Sequence, residues 1–246
     1  MTTITEIAPD VFRISTYVKA ADLQFNQFLV RDDEPLLYHT GQNALFAETR
    51  MAVASLIDVA ALRWIGFSHF ESDECGSLNQ WLAAAPHATP LAGLLAAATC
   101  INDFAIRPAR VLEDAASFAT GRHTFQFLVT PYVPHNWESS LLYDTTARVL
   151  FASDLLLQHG NPAPVIDDVL EPALRDFAAG QRGPFHDSIP WTPHTAATLE
   201  RLAALAPGTL AIMHGAACVG DAAATLCGFS AGLRRLLAAP GASPSP

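Results

Sequence analysis

The most informative stretch of the sequence is Phe67-Ser68-His69-Phe70-Glu71-Ser72-Asp73-Glu74-Cys75-Gly76, which joins a predicted strand to a predicted helix. Its potential metal ligands are His69, Glu71, Asp73 and Glu74. In an extended loop alternate side chains share a face, so His69, Glu71 and Asp73 are expected to converge. Glu74 is then turned aside or joins them at the start of the helix. Such crowding of like charges is costly unless a cation neutralises them. The alternative is a solvated acidic turn that caps the helix.

Three further ligand-type side chains follow predicted strands elsewhere in the chain. His135 follows the strand predicted over residues 125–130, Asp154 follows the strand at 148–152, and His214 ends the strand at 209–213. Functional sites in α/β folds gather at the ends of strands. A single such residue would more often be a buried polar group with satisfied hydrogen bonds. Together with the first cluster, the three favour a metal site.

Short apolar runs and helical periodicity alternate along the chain and predict a layered α/β fold. The remaining predicted strands span residues 11–16, 25–30, 36–38, 64–67, 111–113 and 140–143. The predicted helices span residues 42–56, 77–85, 91–99, 195–205 and 221–237. Residues 161–193 are rich in proline and weakly patterned, and part of this stretch is expected to wall a pocket with Phe185 and Trp191 as apolar lining.

Composition excludes several classes of partner. The chain has 246 residues, a formal net charge of −10 and one lysine, Lys19, so a basic surface for nucleic acid is not expected. No apolar run reaches the ~18–20 residues of a membrane span. The N-terminus lacks a secretory signal pattern, and the four cysteines are scattered. We therefore expect a cytoplasmic protein with one domain over residues 1–238 and a disordered tail over residues 239–246.

The ordered series H-x-E-x-D-E, His135, Asp154 and His214 resembles the metallo-β-lactamase superfamily, whose first motif is usually H-x-H-x-D-H. Glutamate at position 71 resembles the variant found in the diiron domain of flavodiiron proteins, and His159 falls five residues after Asp154, as a histidine of those proteins does. The resemblance covers nearly the whole chain. It implies a metallo-β-lactamase-like αββα four-layer sandwich with metals at one edge, as in a stand-alone, oxygen-binding diiron protein.

The resemblance also implies a ligand set. One metal would be held by His69, Glu71 and His135, a second by Asp73 and His214, and Asp154 would bridge them. Glu74 replaces the last histidine of the family motif, so it binds the second metal, hydrogen-bonds a water there, or faces away. His159 would lie near the metals as a further ligand or as a supporting residue.

The cofactor expected from these residues is two iron ions, with zinc or manganese as alternatives, because mixed imidazole and carboxylate ligands suit all three. Carboxylates favour a higher oxidation state and hence iron.

The resemblance implies that the protein binds, senses or reduces O2 or NO. The sequence shows no flavodoxin domain and no flavin site, so a separate reductase is expected. The alternative is a dinuclear metallohydrolase acting on an ester, thioester or phosphoester. A third, less favoured alternative is a binding protein with a vestigial site. A homo-oligomer is also expected.

Several remaining residues have plain structural interpretations. Cys75 and Cys218 are predicted to be small buried packing residues. His39 is either a supporting residue of the metal site or part of a surface turn. His87 and His123 are predicted to lie on the surface.

Overall fold

A computed structural model describes residues 2–237 of the protein. The predicted disordered tail at 239–246 lies outside the described residues, and the predicted domain over 1–238 remains a prediction. The first β-sheet has seven strands in sequential order. They are β1 (Thr2–Ala8), β2 (Val11–Val18), β3 (Leu23–Val30), β4 (Leu36–Tyr38), β5 (Trp64–Gly66), β6 (Thr89–Ala92) and β7 (Arg110–Val111). Strands β1 to β4 pair antiparallel, and β4 to β7 pair parallel.

The second sheet also has seven strands, in the order β12-β14-β13-β11-β10-β9-β8. They are β8 (Ser117–Ala119), β9 (Thr124–Val129), β10 (Ser140–Asp144), β11 (Val149–Ser153), β12 (Val165–Ile166), β13 (Thr209–Ile212) and β14 (Ala217–Val219). Strands β11 and β13 are parallel neighbours. Their carboxyl ends therefore meet at one edge, and this brings Asp154 and His214 together.

Over residues 2–237, eight α-helical segments complete the fold: α1 (Phe46–Ala54), α2 (Ser72–Cys75), α3 (Leu78–Ala84), α4 (Leu94–Ala96), α5 (Asn102–Phe104), α6 (Leu170–Gly180), α7 (Thr195–Ala204) and α8 (Ala222–Leu237). A π-helical segment, Ala97–Ile101, joins α4 to α5, and 3-10 turns span Asn43–Leu45 and Val59–Ala61. None of the helices in the described residues combines the length and apolar character that a membrane crossing requires.

Three apolar cores correspond to the three interfaces of a four-layer sandwich. One core lies between the sheets and includes Phe28 and Phe151, whose ring centroids are 5.7 Å apart. A second packs α1 and α3 against the outer face of the first sheet, with Trp81 fully buried. The third packs α6, α7 and α8 against the second sheet. The predicted αββα sandwich is confirmed.

The structure corrects some predicted elements. Residues 91 and 92 belong to β6 and not to the predicted helix, because they pair with β7. Helix α6 lies within the stretch in which no helix was predicted, and Pro172 is tolerated because it occupies the first turn, where the amide of a helix has no partner within the helix. Strands β1, β8, β12 and β14 were not predicted. Three of them have only two or three residues, too few to show a period.

Candidate metal centre

Loops at one edge of the sandwich bring the ligand-type side chains into two groups. Within each group, one donor atom per residue lies within 4.8 Å of the others. The first group is His69, Glu71, His135 and Asp154, and the second is Asp73, Glu74 and His214. The six ligands that the resemblance implies, together with Glu74, are therefore all present at this edge, although the loops that supply them are far apart in the chain.

Asp154 lies between the two groups. Its Oδ1 is 3.2 Å from Nε2 of His214, in the second group. Its Oδ2 is 3.5 Å from Nε2 of His69 and 3.5 Å from Nε2 of His135, in the first. One carboxylate thus presents one oxygen to each group, which is the arrangement required of a ligand shared by two ions.

Each histidine of the centre is oriented through its other ring nitrogen. Nδ1 of His135 is 2.9 Å from the carbonyl oxygen of Ser188, and Nδ1 of His214 is 3.0 Å from that of Gln24. Nδ1 of His69 is 2.9 Å from Oγ of Ser68. A carbonyl can only accept, so Nδ1 carries the proton in His135 and His214. Nε2 is then free to bind a metal, and this second hydrogen bond is typical of metal-ligating histidines.

The first group is tightly packed. Nε2 of His69 lies 2.7 Å from Nε2 of His135, and both contact Oε2 of Glu71, at 2.9 and 3.0 Å. Hydrogen bonds from His135 and His69 outweigh burial and lower the pKa of Glu71 to about 2. Glu71 is therefore ionised at neutral pH. A cation among these atoms would replace the contact between the two imidazole nitrogens with favourable coordination.

In the second group, the imidazole of His214 is surrounded by carboxylates. Nε2 of His214 is 3.2 Å from Oδ2 of Asp73 and 3.2 Å from Oδ1 of Asp154. Burial alone would lower the pKa of His214, but the hydrogen bonds and charges of Asp154 and Asp73 raise it to about 10. The two carboxylates thus stabilise a positive charge at Nε2 of His214. A proton supplies that charge in the metal-free chain, and a metal ion could take its place.

Glu74 is the side chain that most clearly requires a partner. It is fully buried, and neither carboxylate oxygen has a hydrogen bond. Its Oε2 lies 3.7 Å from Nε2 of His69. Burial first, and then the charges of Asp154, Asp73 and Glu71, raise its pKa well above the usual range. A buried carboxylate without a partner is costly, so these orphaned oxygens fit a bound cation. The alternative in which Glu74 faces away does not match this position.

The expectation of an extended loop from His69 to Asp73 is wrong in one respect. The chain is extended at Glu71, but α2 begins at Ser72 because the amide of Cys75 donates to the carbonyl of Glu71 at 2.9 Å. This turn of helix places Asp73 and Glu74 in the second donor group, whereas His69 and Glu71 belong to the first. The first motif therefore supplies ligands to both groups.

Supporting residues form a buried network that the sequence only partly indicated. Oγ of Ser68 contacts Nε2 of His39 at 3.1 Å and Oγ of Ser153 at 2.7 Å, in addition to His69. His39 is fully buried, and burial lowers its pKa to about 3, so the surface-turn alternative is wrong. The sequence did not indicate a supporting role for Ser68 or Ser153, because serines at the ends of strands are common.

Gly215 shows why the turn after His214 needs glycine. Its backbone φ of +108° is one that residues with a side chain rarely adopt. A Cβ at this position would lie 2.8 Å from Oε1 of Gln158. That oxygen accepts from the amide of Ala216 at 3.0 Å, and the amide of Gln158 donates to the carbonyl of His214 at 3.0 Å. The close approach of Gln158 therefore fixes the loop that carries His214.

His159 lies beside the centre but outside both donor groups. Its side chain is 46% exposed, and Nδ1 is 3.8 Å from Oδ2 of Asp176. It lines a cavity in front of the metal centre, as do Phe185 and other residues of 183–189. Trp191 does not line this cavity, contrary to expectation, because it packs against the core between the helices and the second sheet.

Two further predictions concern residues outside the two donor groups. Cys75 and Cys218 are buried free thiols, which matches the packing interpretation. The prediction that His123 lies on the surface is wrong. It is 4% exposed because Nδ1 lies 2.6 Å from Oδ2 of the buried Asp144.

The sequence model of the family described as ODP family beta lactamase matches residues 23–215, which include all of the candidate ligands. The chain belongs to this family. This finding confirms the expected membership of the metallo-β-lactamase superfamily, and the matched range runs from β3 of the first sheet to the turn after β13 of the second.

Similar proteins bear out the resemblance to flavodiiron cores. The chain is 24% identical over 201 residues to the rubredoxin-oxygen oxidoreductase of Megalodesulfovibrio gigas, covering 78% of this chain and 48% of the relative. It is 27% identical over 154 residues to the anaerobic nitric oxide reductase flavorubredoxin of Salmonella paratyphi B, covering 60% of this chain and 31% of the relative. The chain therefore spans less than half of the length of these relatives, 48% of the first and 31% of the second.

Among solved structures, a metal-soaked flavodiiron core from Synechocystis superposes with a TM-score of 0.78 at 21% identity, covering 96% of this chain and 62% of that one. At 21% identity, the structural similarity establishes only that the two proteins share a fold. The positions of the donor groups rest on the contacts of this chain's own side chains.

Proposed function

We propose that this chain is a non-haem diiron protein that binds O2 or NO and either senses or reduces it. The observation that carries the proposal is Asp154, which presents one carboxylate oxygen to each of two adjacent donor groups. Two iron ions bound there would supply electrons and coordination positions for one diatomic molecule. The names of the rubredoxin-oxygen oxidoreductase and of the nitric oxide reductase flavorubredoxin support the same class of ligand.

In this proposal His69, Glu71 and His135 hold the first ion, Asp73 and His214 hold the second, and Asp154 bridges them. Glu74 would be the fourth protein ligand of the second ion, after Asp73, His214 and the shared Asp154, because its orphaned oxygens lie beside Asp73 and His214. The hydrogen bonds at Nδ1 of the three histidines keep Nε2 directed at the ions.

The metal is proposed to be iron, with zinc and manganese as alternatives. The donor groups offer three imidazoles and four carboxylates and no thiolate. Anionic oxygen ligands stabilise the higher oxidation state of a redox-active metal, whereas catalytic zinc sites typically rely on histidines with one carboxylate. Electrons for reduction would come from a redox donor that delivers them to the metal centre. Homo-oligomerisation and a cytoplasmic location remain predictions.

The first test is anaerobic loading of the protein with two equivalents of ferrous iron, followed by mixing with air-saturated or NO-containing buffer. We expect a near-UV or visible absorption band that is absent from His69→Ala and retained in His186→Ala, a control at an exposed histidine. A persistent band would indicate binding or sensing, whereas decay of the band with uptake of O2 would indicate reduction.

Two results would contradict the proposal. One is normal loading with two ions in both His69→Ala and His214→Ala, which would refute the ligand assignment. The other is a protein that exchanges iron readily for zinc, gives no band and hydrolyses ester or thioester substrates. That result would favour the metallohydrolase alternative.

A further inference from the structure

The cavity in front of the metal centre is far larger than a diatomic ligand needs. It has a volume of about 790 Å³ and reaches the donor side chains Glu71, Asp73, His135, Asp154 and His214. A diatomic molecule is similar in size to water, whose share of liquid volume is about 30 Å³. A cavity of several hundred Å³ is instead typical of sites for organic molecules.

Aromatic and aliphatic side chains make up most of the cavity wall away from the metal centre. Phe25 comes from β3, Phe177 from α6, Phe185 from the segment that follows α6, and Phe229 from α8. Leu23, Leu157 and Ile189 add to this surface. Phenylalanine side chains on several elements favour a ligand with ring systems, because offset and edge-to-face contacts add to the gain from burying apolar area.

The charges of the wall exclude one large class of ligands. Among the described residues no lysine or arginine lines the cavity. Apart from the metal-facing groups, its ionisable side chains are His159 and Asp176. Both oxygens of Asp176 already accept hydrogen bonds, one from the amide of His159 at 2.8 Å and one from Nε of Arg175 at 3.0 Å. Away from the metal centre, a phosphate or sulfonate group would therefore meet no lysine or arginine of the cavity wall, at considerable cost in desolvation.

We propose that this cavity binds a neutral, largely aromatic organic molecule of two or three rings beside the metal centre. The proposal rests on the proposed function for the identity of the neighbouring centre, whereas binding itself depends on the cavity walls. The molecule would occupy the route between solvent and the metal-facing side chains. It is a second ligand of the same site, in addition to the diatomic molecule.

The test compares two fluorescent probes that share one ring system. N-phenyl-1-naphthylamine is neutral, and 8-anilino-1-naphthalenesulfonate carries a sulfonate on the same body. Both are titrated into protein loaded with zinc, which does not quench by redox chemistry, and into metal-free protein. We expect the neutral probe to bind at least about tenfold more tightly in both forms. Equal or tighter binding of the sulfonate, or no binding of either probe, would overturn the proposal.

Two glycine variants locate the bound probe. Gly180 lines the cavity, and a Cβ built on it meets no other atom within 4 Å, so Gly180→Phe fills the cavity without a local clash. Gly208 lies away from the cavity, and its Cβ would meet only Arg148, at 3.9 Å, so Gly208→Phe is the matched control. We expect Gly180→Phe to weaken binding of the neutral probe at least about tenfold and Gly208→Phe to leave it unchanged.

Equal probe affinity in the two glycine variants would place the probe elsewhere and overturn the proposal. Metal analysis separates this result from a failure of the proposed function, because Gly180→Phe should still load two ions. If the wild-type protein gave no band with O2 or NO but bound the neutral probe in the cavity, the diiron proposal alone would fail. A band without probe binding would refute only the cavity ligand.

Discussion

Arg13 donates a hydrogen bond from its Nη2 to the carbonyl oxygen of Gly215, at 2.8 Å, and thereby ties β2 to the turn that follows His214. The same Nη2 donates to Oε1 of Gln24, whose carbonyl oxygen accepts from Nδ1 of His214. Arg13 is 1% exposed, and burial lowers the pKa of its guanidinium to about 10, so the group remains charged at neutral pH. Arg13 therefore holds the His214 loop from two sides.

Replacement of Arg13 by methionine should weaken metal binding at the second group. We expect a loss of about 1–3 kcal/mol in the free energy of unfolding, and a reduction of about 10–100-fold in affinity for the second ion. Equilibrium unfolding and metal titration measure the two effects. Arg107→Met is the control, because Arg107 donates to the carbonyls of Leu82, Ala85 and Ala88, none of which belongs to a candidate ligand or to the turn after His214. Equal loss of metal affinity in both variants would refute a positioning role for Arg13.

Asp154→Asn should lower metal content more than the loss of any ligand that serves one group. An amide can offer one neutral oxygen but no second anionic oxygen, so binding of both ions is weakened. Elemental analysis after gel filtration measures the ratio of metal to protein. Asp144→Asn is the matched control, since Asp144 is also a buried aspartate beside a histidine, His123. Retention of two ions by Asp154→Asn would contradict the bridging assignment.

Glu74→Met should have opposite effects on the metal-free and metal-loaded protein. Methionine removes two buried oxygens that lack hydrogen-bond partners, so the metal-free variant should gain about 1–3 kcal/mol in the free energy of unfolding. The same change removes a proposed ligand, so stabilisation by added metal should shrink. Thermal unfolding with and without metal tests both effects, with the exposed Glu113→Met as control. A less stable metal-free variant would argue against an uncompensated carboxylate.

His159→Ala should leave two ions bound. The ring is 46% exposed and is held near Asp176 rather than among the donor atoms. Metal content measured beside that of His135→Ala distinguishes a cavity-lining residue from a ligand. Loss of an ion from His159→Ala, to the extent seen for His135→Ala, would show that His159 moves into the centre when metal binds.

Cys75→Ala should not change metal content, although Cys75 follows the first motif directly. Burial raises the pKa of the Cys75 thiol to about 12, and its Sγ donates to the carbonyl of Glu71 at 3.3 Å. A thiol in this state is a poor ligand, because metals bind the thiolate. The variant should lose stability through the small void left in the core, with the ratio of metal to protein unchanged. A drop in that ratio would indicate a sulfur ligand.

Much of the candidate site was predictable from the sequence because the ligands follow predicted strands and form an ordered series. The first motif names four of them within six residues, and His135, Asp154 and His214 each stand beside a strand end. Local patterning also predicted most of the longer strands and helices. It missed three strands of two or three residues, β8, β12 and β14, and the longer β1. It also missed α6, which lies in a proline-rich stretch.

The sequence by itself determined which side chains could bind metal and that they belong to an α/β sandwich of the metallo-β-lactamase type. Only the tertiary structure decided how they divide into two groups, because the single turn of α2 brings Asp73 and Glu74 together with His214, although Oε2 of Glu74 is also 3.7 Å from Nε2 of His69. It also decided the burial of Glu74 and the contact of Arg13 with Gly215, which are 202 residues apart. Such contacts depend on the packing of whole sheets, and no local pattern of residues encodes them.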